Sequence, residues 1–398
     1  FEKLGGGENN IIAQKSDGTL WFWGWGANGQ AGTGNGNDHL TPVLFANLNQ
    51  SWNSFNAGFI TTFGISTDNS LWGTGGNDLG QLGVGTTVLG YFSPLQISPG
   101  TTWKNVSSTF HTLAIQTNGS LWGWGQNNNG QMGNGTCCNN QISPIQIGTA
   151  TDWKQVESSL SGASLALKDN GTLWGWGGNS TRLVGVPSTL VVNNPTQIGT
   201  ANDWEYISVG SSHGMGLKSD GTLWTWGGNP PANGTGSSSN VPQQVGNDTW
   251  QFIDAGRQFS LGIKTDGTLW AWGQNNFGQV GDGTTTSRSA PVQIGTDTNW
   301  VAVAGGGSHT VALKTDGSLW AWGRNVYGQY GNGTTIQSLV PVYVPVEGCV
   351  LSVSDFQQIP LVLSPNPTQD RVTLSFQRDL SAVTIAVYDV QGRLVMQP

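Results

Sequence analysis

Short runs of alternating apolar and polar residues recur along this chain, each interrupted by a turn dipeptide. His309–Thr315 is one such run, Asp316-Gly317 breaks it, and Ser318–Trp322 resumes it. Alternation with period two marks strands, because successive side chains leave opposite faces of a pleated ribbon. Asp-Gly or Asn-Gly between two runs marks a hairpin. The dipeptide recurs at Asp17-Gly18, Asn118-Gly119, Asn170-Gly171, Asp220-Gly221 and Asp266-Gly267, and Asp68-Asn69 takes its place once. Each hairpin carries a Leu-Trp-x-Trp-Gly element or a near copy, beginning at Leu20, Leu71, Leu121, Leu173, Leu223, Leu269 and Leu319. Intervals of 51, 50, 52, 50, 46 and 50 residues separate these copies. A period of this size, kept through seven copies, is the mark of a propeller or solenoid.

Within each unit the order of signals is constant. An aromatic residue stands three positions before an apolar one, as in Trp103/Val106 and Trp300/Val303, and a Gly-rich turn and the hairpin follow. Next comes Gly-x-Asn-x-x-Gly-Gln-x-Gly-x-Gly, clearest at Gly125–Gly135, Gly273–Gly283 and Gly323–Gly333, then a Pro-containing apolar run such as Pro341-Val342. Glycines at this density mark tight loops with positive φ, and the Gln residues (Gln30, Gln81, Gln131, Gln279, Gln329) are expected to satisfy backbone groups there. Proline suits an edge strand. Four strands per unit and seven units predict an all-β fold, a seven-bladed β-propeller of four-stranded blades over 1–346. Phe1–Leu4 keeps the start of the pattern and Pro341–Val344 its end, so the two ends are expected to meet and close a ring. A two-residue type I′ turn at Asp316-Gly317 predicts that Leu313 faces Trp320 and Val311 faces Trp322. Those four side chains then share one side of the blade, and Ala312, Lys314, Leu319 and Ala321 the other.

The 61 Gly among 398 residues and the 10% charged content agree with a turn-rich β protein. Twenty Trp would be unusual, but the repeat accounts for all except Trp25. Trp122, Trp124, Trp320 and Trp322 represent the column and read as inter-blade packing rather than a sugar-stacking platform. Net charge is −8, with 15 Lys and Arg spread along the chain. Nucleic acid is therefore not an expected partner. No run of 18 apolar residues predicts a membrane span. The chain begins at Phe1 rather than Met, which reads as processing or a fragment. Cys137 and Cys138 are adjacent in a loop, either as two thiols or as a strained vicinal disulfide, and Cys349 stands apart.

The motif Trp-x-x-Val…Gly-x-x-His-Thr-x-Ala-Leu-Lys-x-Asp-Gly-x-Leu-Trp-x-Trp-Gly, nearly complete at Trp300–Gly331, resembles the regulator of chromosome condensation repeat family. The resemblance covers roughly 1–346 and implies a seven-bladed propeller. Members of that family include a nuclear exchange factor for a small GTPase, a plant ultraviolet-B photoreceptor, ubiquitin-ligase domains and a secreted bacterial inhibitor of β-lactamases. One fold with unrelated activities carries no function over. Val362–Leu374 with its Pro-Asn-Pro, and Val383–Val395, resemble the start of a C-terminal sorting domain of the type IX secretion system. That resemblance implies export to the outer-membrane surface or the extracellular space. It leaves 347–358 as a linker and 359–398 as the N-terminal part of the sorting domain. The match stops at Pro398, where further strands are expected.

Candidate chemistry is sparse. His111, His213 and His309 occupy one repeat column, where other units hold Asn10, Thr61, Ala163 and Phe259. A metal ring would not usually accept Ala and Phe, so these histidines are expected to be satisfied structural residues, with neither metal nor cofactor. Asp17, Asp68, Asp220, Asp266 and Asp316 are turn residues by position, and no nucleophile–base pair stands out. The photoreceptor's Trp-Arg pair just before the histidine column is absent in every unit. The same loops hold Phe59, Ile60 and Phe110, with Leu160 next along, which reads either as an apolar arc that binds a partner or as side chains tucked into the propeller. Residues 178–194 and 228–241 depart most from the repeat and form a second candidate contact region. The expected function is a secreted or surface-attached, monomeric and non-catalytic interaction module for an unknown protein or surface ligand. The alternatives are a nucleotide exchange factor, a secreted inhibitor, or an enzyme acting on an extracellular polymer.

Overall fold

The computed structural model describes residues 1–345 apart from 49, 188–189 and 229–233, together with four short strands after residue 361. The chain divides into two compact units, Phe1–Val346 and Glu347–Pro398. The first unit is all β apart from one 3₁₀ turn at Phe45–Asn47 among its described residues.

Blade one is built from β1 (Lys3–Gly6), β2 (Asn10–Gln14), β3 (Leu20–Gly24) and β4 (His39–Leu44), hydrogen-bonded in that order. Blade two repeats the order with β5 (Trp52–Ala57), β6 (Thr61–Ser66), β7 (Leu71–Gly76) and β8 (Gly90–Ile97). Blade three uses β9 (Trp103–Ser108), β10 (His111–Gln116), β11 (Leu121–Gly125) and β12 (Gln141–Gln146). Blade four uses β13 (Trp153–Ser158), β14 (Ala163–Lys168), β15 (Leu173–Gly178) and β16 (Val191–Gln197). Blade five opens with β17 (Trp204–Val209), β18 (His213–Lys218) and β19 (Thr222–Gly227). Its outer strand then runs on as β20 (Ser239–Ala255), which becomes the inner strand of blade six. That continuity explains the shortest repeat interval, because no linker is needed there. Blade six adds β21 (Phe259–Lys264), β22 (Leu269–Gly273) and β23 (Arg288–Gln293), and blade seven is β24 (Trp300–Gly305) to β27 (Ser338–Val344), through β25 (His309–Lys314) and β26 (Leu319–Gly323).

The seven inner strands β1, β5, β9, β13, β17, β20 and β24 touch in succession, and β24 returns to β1. The ring therefore closes by packing of two complete blades, and no strand is exchanged between the ends. Each repeat proline, from Pro42 to Pro341, lies inside its outer strand, where an absent N–H costs nothing on the free edge.

The hairpin register differs from the expected one. Leu313 pairs with Leu319, Val311 with Ala321, Ala312 with Trp320 and Thr310 with Trp322. Of the two turn residues only Gly317 has positive φ, at 79°, and Lys314 N–H donates to Ser318 O at 3.1 Å. The connection is thus a three-residue loop, a type I turn followed by a left-handed glycine, not a two-residue type I′ turn. The turn aspartate adds its own support, since Asp316 Oδ1 accepts from Ser318 N–H at 2.9 Å. One residue of difference exchanges the faces. Ala312, Trp320 and Trp322 face blade six, among Leu261, Leu269 and Ala271. Val311, Leu313, Leu319 and Ala321 face blade one, against Ile11 and Ala13.

Trp124 and Trp322 are fully buried, whereas Trp122 and Trp320 are half-buried and donate their Nε1–H to Ser120 and Ser318. The expected role of the glutamines takes a specific form. Gln Oε1 accepts the N–H two residues earlier, at 2.8 Å for Gln81 and 2.9 Å for Gln329. The carbonyls of Gln81, Gln131, Gln279 and Gln329 are left to the next blade. Gln279 O accepts from both Thr310 Oγ1 (2.8 Å) and Trp322 Nε1 (2.9 Å), the two residues that pair across β25 and β26. Gln81 O serves Thr112 and Trp124 in the same way.

In the second unit, Val362–Ser364 pairs antiparallel with Thr373–Ser375, and Val387–Tyr388 with Leu394–Met396. The linker at 347–358 with Cys349, and the rest of 359–398, lie outside the described residues.

Candidate binding face

Antiparallel order places two sets of loops at the same end of every blade. The turn between the first and second strands lies at the inner rim, and the long Gly-rich loop between the third and fourth lies outside it. The inner turns surround the mouth of a channel of about 590 Å³, walled by the seven inner strands.

Phe59 and Phe110, in the turns of blades two and three, stand ring against ring with centroids 4.9 Å apart and planes at 56°. Both are half-buried. Leu160 of blade four lines the channel mouth together with Phe59. Ile60 turns aside over its own blade, where a Cβ on Gly76 would lie 2.4 Å from Ile60 Cδ1. Of the four expected arc residues, the structure brings Phe59 and Phe110 into contact and sets Leu160 on the same rim. Blade two adds Val88 and Leu89 from its outer loop at this end, both exposed, and Leu190 and Ile336 are among the exposed apolar residues of blades four and seven. Of these outer residues only Leu190 falls in a region singled out from the sequence, 178–194; the positions of the others vary from copy to copy.

Opposite the aromatic pair, Arg257 of blade six reaches Glu8 of blade one at 2.6 Å. The pair spans the turn of blade seven, where Gly307 N–H donates to Glu8 O (2.9 Å) and Arg257 N–H donates to Gly306 O (3.1 Å). A Cβ on Gly307 would sit 2.5 Å from Glu8 O, so only glycine lets the chains cross. Nothing in the spacing of Glu8 and Arg257 signals this pairing, since they lie 249 positions apart.

The histidine column lies just beneath the rim and is buried. His111 Nε2 meets Ser164 Oγ at 3.0 Å in the next blade, and His213 Nε2 meets Ser260 Oγ at 2.9 Å. Ser164 in turn donates to Gln131 O at 3.0 Å, so His111 Nε2 carries the proton. His309 meets no serine, because blade one carries Ile11 there, and neither of its ring nitrogens has a well-formed hydrogen bond. Burial lowers all three pKa values, to about 3 for His111, about 4 for His213 and about 3 for His309, so the rings are neutral. Among the described residues no group of three His, Cys, Asp or Glu side chains is placed to hold a metal.

Deeper in the channel, inner-strand side chains bridge neighbouring blades from two to seven through backbone groups. Asn56 Oδ1 accepts from Ser108 N–H, Asn105 Oδ1 from Val156 N–H, and Asp254 Oδ2 from Gly305 N–H at 2.7 Å. Glu157 accepts from Gln155 Nε2 at 2.9 Å and Ser107 Oγ at 3.1 Å. Burial raises Glu157 to about 7 and Asp254 to about 6, opposed by those hydrogen bonds. Both retain some surface toward the channel, but low-dielectric walls surround them, and among the described residues no cation lies close enough to favour their charged forms.

In the second candidate region, blade four keeps the loop path with different residues. Arg182 takes a glycine's positive φ at 62°, and Leu183 O accepts from Trp226 Nε1 at 2.7 Å, as a glutamine does elsewhere. Residues 188–189 and 229–233 of that region lie outside the described residues.

Family models for the regulator of chromosome condensation (RCC1) repeat match residues 118–161, 266–313 and 316–356 in one form and 204–230, 250–279 and 300–329 in another. A secretion system C-terminal sorting domain model matches 363–398. Comparison with curated protein sequences finds no match. Among solved structures, Prp20p from Saccharomyces cerevisiae is similar at 21% identity and a TM-score of 0.73, covering 84% of this chain and 87% of its own. Yeast RCC1 (Prp20) bound to Kap60 is similar at 21% identity and a TM-score of 0.70, over 81% and 83%. Human WBSCR16 is similar at 20% identity and a TM-score of 0.69, over 79% and 87%. At these identities the likeness establishes the fold alone. The chain is a β-propeller of RCC1 repeats that carries a type IX C-terminal sorting domain for export to the cell surface or extracellular space.

Proposed function

We propose that this protein is a non-catalytic interaction module, working outside the cell, whose propeller binds a protein or surface ligand through the face that carries Phe59, Phe110 and Leu160. The Phe59–Phe110 pair supports this reading most directly. Two aromatic rings packed at a tilt beside a channel mouth, with exposed Val88 and Leu89 in the outer loop of blade two, offer apolar area at low entropic cost. The titratable groups beneath are engaged in holding blades together, as His111, His213, Glu157 and Asp254 are, which favours binding over chemistry.

The test is affinity capture by the full chain from its native surroundings, followed by the double variant Phe59→Ser, Phe110→Ser. Loss of the captured partner by ten-fold or more (about 1.4 kcal/mol), with a melting temperature close to that of the parent, is expected. Unchanged capture, or a collapse of stability with no separate binding defect, would sink this reading.

An exchange-factor role is the second reading, since the fold neighbour Prp20p is described with binding to Gsp1p and histones. It requires access to a small GTPase, whereas the sorting domain directs this chain outward. Accelerated nucleotide release from such a GTPase would favour it over the interaction reading. A secreted inhibitor would use the same apolar face, and an extracellular polymer-acting enzyme would show turnover that survives loss of Phe59 and Phe110.

A further inference from the structure

Cys137 and Cys138 lie in the β11–β12 loop of blade three, both exposed and both free thiols in this structure. The loop is tied down on either side of them. Gly135 N–H donates to Asn193 O of blade four at 2.9 Å, and Cys138 N–H donates back to Asn127 O at 2.7 Å. Between these ties Cys138 adopts φ of 76°, a left-handed conformation that an L side chain seldom takes unless its surroundings impose it. The result is that the two Sγ atoms stand 2.6 Å apart, closer than sulfurs that share no bond settle. A loop that spends backbone strain to set two thiols face to face, in a chain that carries an export signal, points to a bond between them. Disulfides form and persist in the periplasm and outside the cell.

We propose that Cys137 and Cys138 form a vicinal disulfide in the exported protein, a redox-labile modification site on the same blade end as Phe110. The oxidant is a disulfide-bonded protein thiol oxidase of the periplasm. One cysteine thiolate attacks the oxidant's disulfide and releases one of its thiolates. The neighbouring thiolate then attacks the resulting mixed disulfide, closes the Cys137–Cys138 bond and releases the oxidant's second thiolate. Two electrons pass to the oxidant, which leaves as a dithiol, and the two cysteine protons go to solvent or to its thiolates. Adjacent Cα atoms lie about 3.8 Å apart, less than the about 4.4 Å or more of ordinary disulfides. A bond so constrained and exposed is reduced more readily than a structural one. Its reduction would loosen a loop whose base, at Gln126 N–H, is bonded to Phe110 O at 3.0 Å.

The experiment equilibrates the purified full chain with mixed reduced and oxidised glutathione at an extracellular poise, then alkylates and maps the peptides. The expected peptide carries both cysteines unalkylated and is lighter by two hydrogens than the dithiol. It becomes doubly alkylated after mild reduction. Cys137→Ser is expected to melt near the parent temperature and to leave Cys138 open to alkylation or to a glutathione adduct. Alkylation of both cysteines before reduction, a glutathione on each, or a link from either to Cys349 or to a second chain overturns the proposal.

Discussion

Trp23 Nε1 donates to Gln329 O at 2.8 Å across 306 residues, and this hydrogen bond joins the first blade to the last. At Gln81, Gln131 and Gln279 the corresponding carbonyl receives a second donor, a Ser or Thr hydroxyl paired across the hairpin from the tryptophan. At the closing seam Ile11 occupies that position, paired with Trp23, so the tryptophan bonds alone.

A pair of variants separates the two situations. Trp322→Phe leaves Gln279 O with its Thr310 donor and is expected to cost about 1 kcal/mol. Trp23→Phe leaves Gln329 O buried without either donor and is expected to cost about 2–3 kcal/mol. Urea unfolding measures both. Equal costs would show that the seam does not depend on this bond.

Gly307→Ala places a methyl group 2.5 Å from Glu8 O and 2.7 Å from Glu8 Cδ. The neighbouring turn must move, which is expected to lower stability by about 1–3 kcal/mol. The Glu8–Arg257 pair should separate with it. Glu8→Gln, which keeps the shape and removes the charge, is expected to cost about 1 kcal/mol or less, since Arg257 is half-exposed. Thermal melts of the two variants, compared side by side, distinguish steric crossing from ion pairing as the constraint.

Glu157 and Asp254 predict an inverted pH dependence. Their folded pKa values, about 7 and about 6, lie above the ordinary 4.5 and 3.8, so the folded protein holds protons that the unfolded chain has released. Their contribution is therefore most favourable below pH 4 and is lost as pH rises through 6 to 7. The buried histidines act in the opposite sense. Their folded values lie below 6.5, and stability is lost as pH falls from 6.5 toward 3. Glu157→Gln removes one acidic group while keeping an acceptor for Gln155. It is expected to be more stable than the parent at pH 8, by on the order of 2 kcal/mol, with the gain shrinking toward pH 4. A gain that does not change with pH would show that Glu157 ionises normally.

The spacing of Leu20 through Leu319, the turn glycines and the edge prolines made the seven blades, their four strands and the closed ring legible, because each is a local signal repeated often enough to be read as a column. The faces of the blade were not legible. An Asp-Gly turn admits either a two-residue or a three-residue loop, and the choice moves every side chain of one strand to the opposite face relative to its partner strand. It was decided by burial: only the observed register puts Trp322 beside Gln279 of the preceding blade, where its Nε1–H finds an acceptor. The candidate face was half legible. Phe59 and Phe110 stood out because they break a column of small and polar residues, whereas Val88, Leu89 and the Glu8–Arg257 pair fall where the copies already differ.

By itself, then, the sequence determined the architecture, through local turn and strand chemistry repeated at a constant period, and the export address, through the motifs of its last residues. Tertiary structure alone decided which side chains meet. Phe59 reaches Phe110 because consecutive blades pack side by side, and Trp23 reaches Gln329 and Glu8 reaches Arg257 because ring closure brings together blades that the chain keeps far apart. Those meetings depend on the curvature of the whole ring, a property that no single repeat contains.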